Sequence, residues 1–306
     1  MDAAVLSTNT DITLEQAQNV IASQNGFQMK AGEVWCRFFS DNFFGYSVKF
    51  DANGNRIKDF TNFSLAHFIP LILFGVAIFL IWKFRNFFKN WKFEENFRFI
   101  WAAVMIFVEM SYFWRLLYVG SSETGQVVSL LDKLPLQVCE WTCIISSFML
   151  MKKKDNWMFQ LCFYVCLIAG TCALVIPETV LPYTGPGYYR YYQFWLEHML
   201  PTLSVFYLMF VHGFKPRFKG MFAAMGFLSV LGVISIICNH TLKDHNAEYL
   251  YFYLFDDYSP FHEHPWLTPI FFAVAVFGAF VGLYYLSKGI IKLREKYLIK
   301  HPQKEA

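Results

Sequence analysis

The chain has 306 residues, 56% hydrophobic and 16% charged. Average soluble domains carry roughly a quarter charged residues, so the composition excludes an ordinary soluble domain and points to an integral membrane protein. The net charge of +3 gives no footing for a nucleic-acid partner.

Residues 1–62 read as a separate, outward segment. The opening "MDAAVLSTNTDITLEQAQ" has neither the basic start nor the apolar core of a secretory signal peptide. Thr13 and Gln16 fit a capping box that opens a short helix to about Ser23. "YSVKFDANGNRIKDF" is expected to form a β-hairpin around Asn53-Gly54, whose residues tolerate the positive φ of such a turn.

Seven segments are then long and apolar enough to cross a bilayer, which takes about 20 residues. They lie near 64–82, 98–119, 134–151, 157–176, 191–211, 221–241 and 266–287. Hydrocarbon forces a backbone to satisfy its own polar groups, and these runs are too long for barrel strands, so they are expected to be helices. The expected fold is an all-α membrane protein. A bundle of seven transmembrane helices (63–290) carries the small outward N-terminal helix/hairpin segment (1–62) and a basic cytoplasmic tail (291–306).

Basic residues set the expected orientation. Lys83, Arg85, Lys89, Lys92 and Arg98 flank the loop after the first span, and Lys152, Lys153 and Lys154 follow the third. Lys215, Arg217 and Lys219 follow the fifth, and Lys288, Lys292, Arg294, Lys296, Lys300 and Lys304 follow the seventh. Seven spans put all four clusters on one face, whereas six would break the alternation. The positive-inside rule makes that face cytoplasmic, with the N-terminus outside. The expected location is multi-pass in a membrane, the cell membrane if the chain is bacterial.

The outer loops include "PETVLPYTGPGYYRYY" (177–192) and the acidic, aromatic "LKDHNAEYLYFYLFDDYSPFHEHPW" (242–266). There is no repeat and no phosphate-cradling glycine loop. Of seven cysteines, Cys139, Cys143, Cys162, Cys166, Cys172 and Cys238 fall inside predicted spans and Cys36 outside. The odd count and this placement argue against a disulfide framework.

Ionisable groups inside a membrane cost about 2.5–3.5 kcal/mol each on insertion scales. Here they gather at one depth. At about 1.5 Å per residue, Cys139 lies ~8 Å and His198 ~10 Å below the outer starts of the third and fifth spans. His67 starts the first span, Arg115 nears the outer end of the second, and Asn239 and His240 end the sixth on that side. Glu140 and Glu197 share the layer, and Glu109 lies deeper. Cys139, Cys143 and Ser146 share one helix face, where small residues usually meet a neighbouring helix. Tyr191, Trp195, His198 and Thr202 share a face of the fifth span, Gln193 and Glu197 share the next, and Pro201 can loosen the backbone beside His198.

Each residue also has a plainer reading. A cysteine in a span serves as small apolar filler, His198 as a helix-to-helix hydrogen bond, and Arg115 as a snorkelling side chain. Pro135 is expected at the first helical position of the third span, which sets Cys139 past the first turn, where help from the helix dipole fades. A buried thiol then needs a base to become a thiolate, and His198 is the candidate.

"LPLQVC", then "YQFWLEHMLP" and "YLMFVHGFKP", together with "FSLAH", Trp114-Arg115, Asn239 and "EYLYF…SPFHEHPW", resemble the YwaF / transmembrane protein 164 family over about residues 63–290. The resemblance implies phospholipid acyl transfer, since the animal branch is regarded as placing polyunsaturated acyl chains on ether lysophospholipids. It also implies Cys139 as the catalytic cysteine and His198 as its histidine. His67, Arg115, Gln193 and Asn239 are expected as binding residues. Membrane phospholipids and lysophospholipids are the expected partners, with no cofactor and no metal; the oligomeric state is open. Two other functions stay open on the residues. One is a non-catalytic, transporter- or receptor-like seven-helix protein. The other is a zinc-dependent lipid hydrolase using His67, His198 and His240 or the His262–His264 loop, with three ligands and a water.

Overall fold

The computed structural model describes residues 43–45, 51–52, 54–55, 57–118, 136–152, 154–177, 181, 183–241 and 267–300. Among them the fold is all-helical, with no strand. In chain order the elements are α1 (Leu65–Lys83), α2 (Arg85–Asn90), α3 (Glu94–Tyr118), α4 (Val138–Leu150) and α5 (Trp157–Val165). A π-helical turn (Cys166–Gly170) follows, then α6 (Thr171–Val175), α7 (Tyr189–Val211), α8 (Gly220–Thr241) and α9 (Leu267–Lys300).

Six of these stretches are long and apolar enough to cross a membrane: Leu65–Lys83, Glu94–Arg115, Trp157–Val175, Tyr189–Val211, Gly220–Cys238 and Leu267–Leu293. The expected third span is shorter. It appears as α4, whose 13 residues rise only about 20 Å at 1.5 Å each, less than a hydrocarbon core of about 30 Å. Among the described residues six helices are therefore long enough to span, against the seven expected, and α4 is a shorter apolar helix. Among the described residues, 72% of the most apolar stretch of α7 is buried against 11% of that of α9, so α7 is a core helix and α9 a peripheral one.

The described chain forms two compact units. One comprises the described residues of Met1–Pro70, Met110–Leu130 and Ile176–Trp195. Here the segment before α1 is tied down by polar side chains. Arg115 donates to the carbonyls of Phe44 (2.9 Å) and Gly45 (2.8 Å). Tyr189 donates its main-chain N–H to Phe43 at 2.7 Å, and the Tyr191 hydroxyl donates to the Ala66 carbonyl. Phe60, His67, Tyr191 and Trp195 form a ring cluster. Of the expected hairpin, the Asp51 N–H donates to the Asn55 carbonyl at 2.9 Å and Gly54 has φ +83°, while Asn53 lies outside the described residues. No strand flanks Gly54 among the described residues. Residues 46–50 and the expected helix from Thr13 lie outside them.

The other unit comprises Leu71–Glu109, Leu131–Val175 and Leu196–Ala306 in its described residues. Within it α5 packs on α4 and α8, and α8 on α9. The basic ends of its helices are stitched together. Glu94 Oε1 accepts from Tyr207 and His212, both at 2.8 Å, and pairs with Arg98 at 2.8 Å. Arg98 also donates to the Leu150 carbonyl that ends α4. After α7, Gly213 at φ +72° turns the chain, and Phe214 N–H closes on the Leu208 carbonyl at 3.1 Å, a glycine C-cap. The following strap is held to α5 by Gln160, which donates to Lys215 O (3.1 Å) and accepts from Arg217 N–H (2.7 Å). Arg217 pairs with Asp155 at 2.9 Å. Asn156 caps α5, accepting from the N–H groups of Met158 and Phe159.

Candidate active site

α4 begins later than expected. Its N-cap is Gln137, and the Glu140 carboxylate reaches back to the Gln137 N–H at 2.9 Å. This reciprocal cap ends the helix at Val138. Cys139 is therefore the second helical residue, not one past the first turn. First-turn N–H groups have no partner within their own helix and carry its positive dipole end. Cys139 thus lies in the first turn of α4, within reach of the helix dipole. Pro135 lies outside the described residues.

α7 supplies the second group, and its irregularities place it. Pro201 has no N–H, so the Glu197 carbonyl four residues earlier loses its helical donor. The Cys143 thiol replaces it, donating to Glu197 O at 3.3 Å. One turn on, Thr202 Oγ1 lies 2.9 Å from the His198 carbonyl and 3.2 Å from that of Cys166, where the π-turn begins. A π-turn widens the helix by one residue, and here the extra width meets the Thr202 hydroxyl. Gly170 closes that turn. A Cβ there would lie 2.7 Å from Thr202 Oγ1 and 3.5 Å from the His198 carbonyl. Ser146, one further along the face that starts at Cys139, donates to Cys162 Sγ at 3.4 Å. Small side chains thus seal α4, α5 and α7 together below the site.

This framework sets His198 Nε2 3.1 Å from Cys139 Sγ, within hydrogen-bond reach for a nucleophile and its base. His198 is buried and Cys139 partly open. A third group joins them. One ligand atom each from Cys139, His198 and Glu197 lies within 4.8 Å of the others, and Glu197 is buried. The sequence places Glu197 in the same layer but gives no reason to bring it to the thiol. A carboxylate next in sequence to a histidine points about 100° away around an ideal helix; only the tertiary arrangement brings the two tips together.

A profile of the TMEM164 family matches residues 62–285, nearly three quarters of the chain. The chain belongs to this family. No curated protein and no solved structure matches it. The matched region runs from just before α1 into α9 and contains Cys139, Glu197 and His198, in agreement with the resemblance read from "LPLQVC" and "YQFWLEHMLP". Residues 1–61 fall outside the family match.

The other expected site residues, all within the family match, are engaged as follows. His67 is buried, and its Nδ1 accepts the Phe63 N–H at 2.9 Å. Arg115 is buried on the Phe44 and Gly45 carbonyls and does not snorkel. Gln193 is buried, with its Oε1 accepting from Arg190, whose guanidinium stacks 3.8 Å from the Tyr112 ring centre. These three belong to the unit that contains the pre-α1 segment. Asn239 lies in α8, with its side chain outside the description. His240 is exposed on α8, and His262 and His264 lie outside the described residues. Among those residues, the potential metal ligands that converge are Cys139, Glu197 and His198; of the histidines named for a zinc hydrolase, only His198 is in this group.

Proposed function

We propose that the protein is a membrane phospholipid acyltransferase or transacylase with Cys139 as nucleophile and His198 as base. The observation that carries this reading is the 3.1 Å contact between Cys139 Sγ and His198 Nε2 at the first turn of α4. His198 Nε2 takes the thiol proton, and the sulfur attacks the carbonyl carbon of a glycerolipid ester. The negative charge that develops on the carbonyl oxygen falls beside the first-turn N–H groups of α4, which serve as oxyanion donors. As the C–O bond breaks, His198 returns the proton to the leaving lysolipid alkoxide, and a thioester remains on Cys139. A second lysolipid hydroxyl then gives its proton to His198 and attacks the thioester, which restores the thiol.

The proposal extends to topology. The start of α3 and the ends of α4 and α7 are tied together through Arg98–Leu150 and Glu94–His212, so α4 runs antiparallel to α3 and back toward the basic end. On this reading α4 is a seventh crossing, with the N-terminus outside and the C-terminus in the cytoplasm. On this reading Cys139, at the start of α4, lies at the depth of glycerolipid esters.

Lipid profiling of cells expressing wild type or Cys139→Ala, paired with acyl-thioester trapping on the purified protein, tests the reading. Loss of both the altered lipid species and the trapped thioester in Cys139→Ala supports it. Full acyl transfer by Cys139→Ala overturns it. Absence of any acyl transfer by wild type leaves the ligand-binding, transporter-like reading in its place.

A further inference from the structure

We infer that Cys139, His198 and Glu197 also form a site for a borderline-soft divalent cation, of which Zn²⁺ is the fitting case, and that its binding blocks the acyl-transfer chemistry. Only the blocking effect rests on the proposed function; the metal site stands on geometry. Zinc takes thiolate at about 2.3 Å, imidazole at about 2.0–2.1 Å and carboxylate at about 2.0–2.2 Å. At tetrahedral angles such atoms lie roughly 3.3–3.6 Å apart. Here sulfur and nitrogen are already 3.1 Å apart, and all three ligand atoms lie within 4.8 Å of one another. Closing the set asks the ligand atoms to approach by about 1 Å.

The donor chemistry selects the ion. Thiolate and imidazole favour zinc and copper over magnesium and calcium, which prefer all-oxygen shells. One thiolate and one carboxylate balance the two positive charges, so the complex is neutral where its ligands are buried or half-buried. Three protein ligands leave a fourth position for water. The plainer account is that the three groups are a hydrogen-bonded cluster and nothing more. It predicts proximity but not metal affinity, which separates the two. A bound cation occupies the sulfur lone pair that attacks the ester and the ring nitrogen that takes the proton, so nucleophile and base are silenced together.

The test uses the full-length protein in detergent, stripped with chelator and titrated with Co²⁺ as a spectroscopic probe, then with Zn²⁺ in competition. The expected result is one Co²⁺ per chain with a sulfur-to-metal charge-transfer band that Zn²⁺ displaces. Cys139→Ser should abolish the band, and Glu197→Gln should weaken binding by at least about tenfold, as even outer-shell changes cost 10–100-fold. Cys172→Ser, an exposed thiol, should bind as wild type. Zn²⁺ should also protect Cys139 from alkylation in the unmutated protein, a readout that needs no variant to fold. Absence of a band, or a band that persists in Cys139→Ser, overturns the site. Zinc inhibition of acyl transfer, reversed by chelator, confirms the block. Activity that chelator abolishes and zinc restores overturns the block and the cysteine-nucleophile reading with it, while the site itself stands.

Discussion

The carbonyl of Glu197 takes its hydrogen bond from the side chain of Cys143, at 3.3 Å, because Pro201 cannot supply the helical N–H. This bond fixes α4 against α7 one turn below the Cys139–His198 contact. Read from sequence, Cys143 passes for filler, and its replacement by alanine is expected to be near neutral. The structure gives it a partner that burial leaves few alternatives to satisfy. Cys143→Ala should destabilise by about 1–3 kcal/mol, the cost of a buried polar group left unmade, and Cys143→Ser should be milder. Pro201→Ala restores the main-chain donor, so the loss from Cys143→Ala should shrink in that background. Thermal unfolding of the four proteins in detergent forms a double-mutant cycle. Equal losses in both backgrounds would refute the link.

The nucleophile and its base act as a unit. Cys139→Ala and His198→Ala should each lower acyl transfer by about 10²–10⁴-fold, the range of positioned proton transfer, and the double variant should be little worse. Initial rates with a fluorescent acyl donor measure this. Multiplying losses in the double variant would show that the two side chains work independently.

Gly170 lets the π-turn approach His198. Gly170→Ala drives a Cβ to 2.7 Å from Thr202 Oγ1, and overpacking of this kind costs typically about 1–3 kcal/mol. Thr202→Ala removes the clashing atom and should recover much of the loss. Thr202→Val keeps an atom at the same place and should not. Unfolding temperature and acyl-transfer rate together decide; recovery by Thr202→Val would sink the steric account.

The Glu94 carboxylate joins Arg98, Tyr207 and His212. Glu94→Ala leaves Arg98 buried without its carboxylate, a change worth about 3–5 kcal/mol in general, with the low end expected because Arg98 keeps the Leu150 carbonyl. Tyr207→Phe should cost about 1 kcal/mol, one hydrogen bond. If chemical unfolding finds the two variants equal, the charge pair contributes little.

For the proposed topology, single cysteines placed in residues 1–62 and 242–265 should react with an impermeant maleimide in intact cells. Those in the 152–154 loop should react only after lysis. Labelling of that loop in intact cells would reverse or break the seven-span arrangement.

By itself the sequence located six membrane-length helices, because a span is recorded locally as about 20 apolar residues that must close their own hydrogen bonds. It also pointed to Cys139 and His198 as partners, an expectation drawn from counting along each span; the 3.1 Å contact between them belongs to the tertiary structure. What it could not determine depends on atoms brought from other helices. The start of α4 at Val138 rather than near Pro135 follows from the carboxylate of Glu140 reaching the Gln137 N–H, and it moves Cys139 into the first turn. The π-turn at Cys166 has no proline to announce it; its room is made by Gly170 and met by Thr202 of α7. The convergence of Glu197 on the thiol runs against the angular spacing of adjacent helical residues. Polar tips within a membrane protein settle where a partner across the interface satisfies them, and that partner is chosen by packing, not by any neighbour in the chain.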